Sequence, residues 1–286
     1  MTAELSALAP AKVNLFLRVF GKMADGYHAI ETLFALTTLA DELRVERLTE
    51  PGVGLDVSGA DTGPVGDNLV VRAARMVLDA TGNHFGVRIG LTKHIPVRAG
   101  LGGGSSDAAQ ALLLVNQLAG NAIPRHELLQ MAARLGSDVP FFVSGARMAL
   151  GWHRGERILR LPAIPAAPAI VLAPADGIST AEAYGWLDSV RHEPPGRGAL
   201  ALDLDALQTW GDIARMAGND FESPVFERRP PLRSAFEKLV GTGPMLCRMS
   251  GSGSAMVAIY RTTGDREDAV MMLGSKYGRV LAVEVG

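Results

Sequence analysis

The sequence predicts an α+β protein in two parts. Short runs of β-branched and aromatic residues dominate the first third, helical spacing takes over between residues 68 and 135, and the Pro/Ala-rich stretch 162–168 separates these from a second mixture of strands and helices. Residues 13–20, 30–39, 43–48 and 53–57 read as strands bounded by Gly, Asp and Pro. Residues 68–80 place Leu69, Ala73, Val77 and Ala80 on one helical face, with Asn68 at the N-cap. A strand at 87–91 is followed by helices at 105–118 and 124–135, the second opened by Pro124 and closed by Gly136. Strands are expected at 148–152 and 157–161, and the domain boundary in the proline-rich stretch beyond them, giving domains 1–162 and 163–286. The second domain shows strands at 170–173, 245–249, 255–260 and 280–283 and helices at 180–189, 232–239 and 266–273. Residues 191–198 are polar and rich in Pro and Gly, as a mobile loop would be.

Composition narrows the function. Among 286 residues, 28 Lys and Arg nearly balance 30 Asp and Glu, for a net charge of -2. No broad basic field exists, so neither a nucleic-acid nor an acidic-membrane partner is expected, and an anionic ligand must be held locally. The single cysteine, Cys247, lies in apolar sequence and excludes an internal disulfide, which suits a reducing cytoplasm. Met1-Thr2-Ala3-Glu4 shows neither signal nor transit character, and the most apolar stretch, 108–118, is short and interrupted by Gln110, Asn116 and Gln117. A cytoplasmic protein, monomeric or weakly homodimeric, is the expectation.

The strongest local signal is Pro96-Val97-Arg98-Ala99-Gly100-Leu101-Gly102-Gly103-Gly104-Ser105-Ser106-Asp107, set between a strand and an amphipathic helix. Glycines let backbone N–H groups approach an anion, and a helix N-terminus adds unsatisfied donors and the positive end of its dipole. The serines can cap the helix or donate to phosphate, and Asp107 suits the dipole or a Mg²⁺ ion. An isolated Gly-Gly-Gly is more often a serine-capped turn; the strand before it and the helix after it favour a phosphate loop. No Gly-Lys-Ser/Thr closes a Walker-type loop, no ribose-binding acid follows at Rossmann spacing, and protein-kinase motifs are absent.

Taken with Ala9-Pro10-Ala11-Lys12-Val13-Asn14, Asp25-Gly26-Tyr27-His28, Leu135-Gly136-Ser137-Asp138-Val139-Pro140, Asn219-Asp220-Phe221-Glu222 and Met249-Ser250-Gly251-Ser252-Gly253-Ser254, the loop makes the chain resemble the GHMP kinases along nearly its whole length. Within them it is most similar to the branch that phosphorylates a cytidine-diphosphate-linked polyol for isoprenoid precursors. It departs at Met23, where Arg is usual, at Ser179, where Pro is common, and in 148–156, which carries an extra residue. The resemblance implies a ribosomal-protein-S5-like N-terminal domain, a ferredoxin-like C-terminal domain, ATP with Mg²⁺, and a small-molecule substrate with a cytidine diphosphate moiety. A homoserine- or mevalonate-type kinase, or a regulator that binds nucleotide without catalysis, are the rival readings.

By the same resemblance, Asp138 accepts the substrate hydroxyl proton and Lys12 lies beside it, keeping it ionised and steadying developing charge. Read alone, Asp138 is a helix cap and Lys12 an edge-strand charge. Asn14 shares the strand face of Lys12 and holds the reactive hydroxyl, or is a structural amide. Tyr27 and His28, otherwise a hairpin closure, are implied to bind cytosine through a ring face and an imidazole offering one donor and one acceptor. Thr180 and Tyr184, four residues apart on one helix face, match the far wall. Residues 250–254 are either a hairpin turn or a second wall against phosphate. Asn68 is an ordinary N-cap in preference to a residue near adenine.

Overall fold

A computed structural model describes residues 3–190 and 203–286, so the loop expected at 191–198 lies outside the described residues. In chain order the elements are β1 (Glu4–Lys22), β2 (His28–Leu48), β3 (Gly52–Ser58), α1 (Leu69–Ala80), β4 (Gly86–Thr92), α2 (Gly103–Leu118), α3 (Arg125–Leu135), α4 (Val139–Ser144), β5 (Met148–His153), β6 (Arg157–Arg160), β7 (Ala167–Ala173), α5 (Thr180–Val190), α6 (Trp210–Met216), α7 (Glu222–Arg228), α8 (Pro230–Val240), β8 (Leu246–Met249), β9 (Met256–Ile259), α9 (Thr263–Leu273) and β10 (Arg279–Val285). The expected α+β character holds. By contacts the described residues form two compact units, one of residues 3–11, 39–97 and 102–146, the other of residues 12–38, 98–101, 147–190 and 203–286. No helix among the described residues is long and apolar enough to cross a membrane.

In the first unit the C-terminal part of β2 pairs antiparallel with β4, Leu43 opposite Leu91, and β4 pairs parallel with β3, Leu55 opposite Ile89. A parallel pair requires a crossover, which α1 supplies. Val70, Val71, Ala73, Ala74, Val77 and Leu78 form the buried face of α1. α2 buries Leu112 and Val115 together with Ala108, Ala109 and Ala111, and α1 packs against it. Asn68 caps α1 as expected, its Oδ1 accepting Val70 N–H at 2.9 Å.

In the second unit β10 pairs antiparallel with β7, Val283 opposite Ala169, and β7 with β9, Val171 opposite Val257. β9 continues to β8, Cys247 opposite Ala258, while β5 joins the N-terminal part of β2, Leu33 opposite Leu150. The core gathers Leu17, Val19, Ile170, Leu172, Leu187, Phe221, Val225, Leu239, Met249 and Met256. Each such large side chain taken from water contributes about 1.5–3 kcal/mol of transfer free energy.

Three expectations need correction. The strands expected at 30–39 and 43–48 are one strand, because Asp41, which reads as a break, is buried and its charge is met by Lys93 and by backbone N–H groups. The proline-rich stretch 162–168 is not all connector: Ala167 and Pro168 open β7, and Pro168 O accepts Tyr260 N–H at 2.8 Å. The short helices α4, α6 and α7 were not expected, being too brief for periodicity to declare itself.

Candidate active site

In the first unit β4 ends at Thr92 and the chain turns inward at Lys93. Lys93 Nζ donates to Asp107 Oδ2 at 2.7 Å and also to Asp41, and none of the three side chains is more than 3% exposed. Asp41 Oδ1 accepts the N–H groups of His94 at 2.5 Å and Ile95 at 2.8 Å. The start of the glycine loop is therefore pinned to β2 and to the first turns of α2. Burial pushes the Asp107 carboxyl up to about 7; Lys93 opposes the rise and the charge of Asp41 adds to it. Asp107 Oδ1 has no partner among the described residues. Asp107, read from sequence as a dipole or Mg²⁺ residue, is thus an anchor of the loop.

Gly102 caps α2 with φ of 69°, a left-handed conformation that favours glycine. The first-turn N–H groups of Gly103, Gly104 and Ser105 have no intrahelical acceptor and point, with the positive end of the dipole, toward any anion held there. A Cβ on Gly104 would meet nothing within 4 Å, whereas one on Gly103 would meet Ile95 Cγ2 at 3.1 Å and Lys93 Nζ at 3.2 Å. The third glycine of the run leaves the open space; the second makes room for Lys93. Ser106 gives its N–H to Gly102 O at 2.9 Å and its side chain is fully buried, so it presents no donor to a ligand here.

Asp138 occupies the N-cap position of α4 and is half-buried, and its side chain makes no capping hydrogen bond. Val139, Pro140, Phe141 and Phe142 are all buried and fix the helix that carries it. A Cβ on Gly136 would lie 4.0 Å from Ser105 Oγ, which puts the turn before Asp138 beside the first turn of α2. A helix buried on every side thus holds a carboxylate next to a phosphate-type helix terminus.

In the second unit Lys12 is 3% exposed, donates to Asn14 Oδ1 at 2.6 Å and has its ammonium 5.5 Å from the centre of the Phe34 ring. Asn14 Nδ2 donates to Thr32 Oγ1 at 2.7 Å, and Thr32 donates on to Phe16 O at 2.7 Å. Asn14 therefore orients Lys12, which leaves its amide largely spent inside the protein. Arg98 to Leu101 run between β1 and the turn joining β8 to β9: Ser250 Oγ donates to Gly100 O at 2.9 Å, Ala255 N to Ala99 O at 3.0 Å and, from β1, Lys12 N to Leu101 O at 2.9 Å. Residues 250–254 are accordingly both a turn and a wall against the first half of the loop. Asn219 clamps that turn, its Nδ2 donating to Met249 O and Gly251 O, each at 2.8 Å.

The four residues expected to bind a base all belong to the second unit, where two of them, His28 and Tyr184, are in contact. The His28 ring stacks on Tyr184, centroids 4.9 Å apart and planes inclined by 21°, and Tyr184 meets Phe221 edge-on. Thr180 Oγ1 lies 3.2 Å from Ser252 Oγ. Tyr27 is 59% exposed, with the Arg154 guanidinium 4.2 Å from its ring centre and ion-paired to Asp25. The imidazole does not offer both nitrogens, as expected from sequence: its Nε2 lies 2.8 Å from Asp188 Oδ1, and Lys22 holds the other Asp188 oxygen at 2.7 Å. Although its partial burial opposes ionisation, Lys22 and His28 together hold the Asp188 carboxyl below its ordinary value.

Asp41, Lys93, Arg154, Asp188 and Asn219 were not singled out from sequence as site residues. For Asp188 a signal existed: it continues the spacing of Thr180 and Tyr184 along α5.

The fold and loop define a class. Family models described as "GHMP kinases N terminal domain" and "GHMP kinases C terminal" match residues 68–146 and 201–279. The chain is 41% identical, over 95% of its length and 85% of the relative, to the 4-diphosphocytidyl-2-C-methyl-D-erythritol kinase of Solibacter usitatus (strain Ellin6076). A crystal structure of 4-(cytidine 5'-diphospho)-2C-methyl-D-erythritol kinase superposes with a TM-score of 0.82 at 38% identity, covering 99% of both chains. The homoserine kinase of Cytophaga hutchinsonii shares the fold, with a TM-score of 0.68 at 20% identity over 99% of this chain and 94% of that one. The chain belongs to the GHMP kinases and, within them, to the family of 4-diphosphocytidyl-2-C-methyl-D-erythritol kinases.

Proposed function

We propose that this ATP-dependent kinase transfers the γ-phosphoryl group of ATP to a hydroxyl of 4-diphosphocytidyl-2-C-methyl-D-erythritol, giving the 2-phosphate, in isoprenoid precursor biosynthesis by the methylerythritol phosphate pathway. The exposed Tyr27 ring next in sequence to the buried His28 imidazole, itself stacked on Tyr184, carries the choice of substrate: a ring for stacking beside an imidazole suits a nucleobase. Homoserine-type chemistry has no use for that pair.

In this reading residues 96–106 hold the triphosphate, with the backbone of Gly103, Gly104 and Ser105 donating and the space over Gly104 open to receive it. Asp138 takes the proton of the attacking hydroxyl, and Lys12, oriented by Asn14, steadies the charge that develops on the oxygen. Mg²⁺ bound with ATP would supply neutralisation of the phosphate oxygens; Asp107, the carboxylate read from sequence as suited to it, is engaged by Lys93. Domains 1–162 and 163–286 are the functional division, supported by family matches that fall on either side of residue 162. A cytoplasmic location suits the buried free thiol of Cys247.

Incubation with ATP and the cytidine-linked methylerythritol, beside uridine-linked and plain polyol controls, tests the reading. Turnover of the cytidine-linked compound well above both controls is expected. Equal turnover of the plain polyol would overturn it.

A further inference from the structure

His28 is a base-facing residue with one of its two nitrogens already taken. Its Nε2 meets Asp188 Oδ1 at 2.8 Å, while its Nδ1 makes no hydrogen bond among the described residues. The pairing is built from outside the ring as well. Asp188 is ion-paired through its other oxygen to Lys22 at 2.7 Å, and the imidazole plane is held by stacking on Tyr184, one helical turn before Asp188 on α5. The His28 side chain is 8% exposed, so the ring has little freedom to flip, and an ionised carboxylate accepts but does not donate.

From this geometry we infer that Asp188 is a positioning residue for base selectivity: it locks His28 as the tautomer protonated on Nε2, so that Nδ1 presents only a lone pair to the ligand. The inference rests on the reading of Tyr27 and His28 as the base site. A bare Nδ1 accepts from an exocyclic amino group and opposes the lone pairs of a carbonyl oxygen in the same place. Cytosine carries an amino group where uracil carries a carbonyl, so the tautomer alone favours the first base and penalises the second. Lys22 keeps the carboxylate ionised, and Tyr184 keeps the ring plane fixed.

Two measurements test this on the full chain. Nitrogen-15 spectra of histidine-labelled protein without ligand, taken at alkaline pH and assigned with His28→Gln, report which nitrogen of His28 carries the proton. Wild type should show protonated Nε2, Asp188→Ala a mixture of tautomers, and Asp188→Glu a return toward wild type. The ratio of kcat/KM for cytidine- over uridine-linked substrate should fall about tenfold in Asp188→Ala, as expected for one unmatched buried polar contact, and recover in part in Asp188→Glu. A His28 tautomer unchanged in Asp188→Ala overturns the assignment, as does a changed tautomer with an unchanged ratio. A wild type that does not distinguish the two bases overturns the base-site reading instead, while the spectra still decide whether Asp188 sets the tautomer.

Discussion

A Cβ placed on Gly100 would lie 2.2 Å from the carbonyl oxygen of Ser250. With φ of +78° at Gly100, no other residue satisfies both the conformation and the space. The first half of the glycine loop is therefore fitted, main chain to main chain, against the turn between β8 and β9. Gly100→Ala should cost about 2 kcal/mol or more, combining the left-handed penalty with displacement of one backbone from the other. Equilibrium urea unfolding measures it, with Gly185→Ala as control, since a Cβ there meets nothing within 4 Å. A loss no greater than the control's would show that the two segments part easily.

The neighbouring glycines separate space for ligand from space for protein. Gly104→Val should leave stability within about 1 kcal/mol of wild type, the propensity cost of a β-branched residue in a helix. It should weaken ATP binding by about tenfold or more, because the side chain fills the opening that phosphate would take. Gly103→Val should instead destabilise the protein, as its side chain presses on Lys93 and Ile95. Calorimetric titration with ATP alongside thermal unfolding distinguishes the two; equal ATP affinity in Gly104→Val and wild type would remove phosphate from that space.

Asp138→Asn conserves the shape of the side chain and removes its ability to accept a proton. Since the buried α4 residues hold the position, the variant should fold normally and lose about 10²–10⁴-fold in kcat, the usual worth of a positioned base. Near-normal turnover by folded protein would reassign the base.

The Asp107 anchor carries a pH signature. Its carboxyl holds a proton up to about 7 in the folded chain and releases it near 3.8 when unfolded, so folding takes up a proton between those values. Stability contributed by this group is therefore full at low pH and falls as pH rises through the window, by at most about 1.4 kcal/mol per pH unit. Asp107→Asn should flatten that slope. Urea unfolding repeated across the window checks it, and a slope identical in the variant would place the proton elsewhere.

Much of the fold was legible because it is local. The apolar stripe of α1, the Asn68 cap, the β-branched runs of β4 and β7 and the glycine run ahead of α2 each depend on residues within a few positions of one another. Periodicity failed where a buried polar residue interrupts a strand, as Asp41 does in β2, or where a helix is as short as α4. The site residues were expected through resemblance, and the structure brings His28 to Tyr184 and residues 98–101 to 250–255.

By itself the sequence determined most of the longer elements and, through resemblance, the class of reaction, since propensity, glycine conformation and motif spacing all act along the chain. Only the tertiary structure decided how individual polar groups are spent. Asp107 Oδ2 went to Lys93, the space beside the Gly103 Cα to the same lysine, and His28 Nε2 to Asp188. Each of those outcomes depends on a partner distant in sequence, 160 residues away for His28, or on burial that raises the cost of an unpaired charge. Neither quantity is written in local spacing, because desolvation and pairing exist only once distant segments have closed around the group.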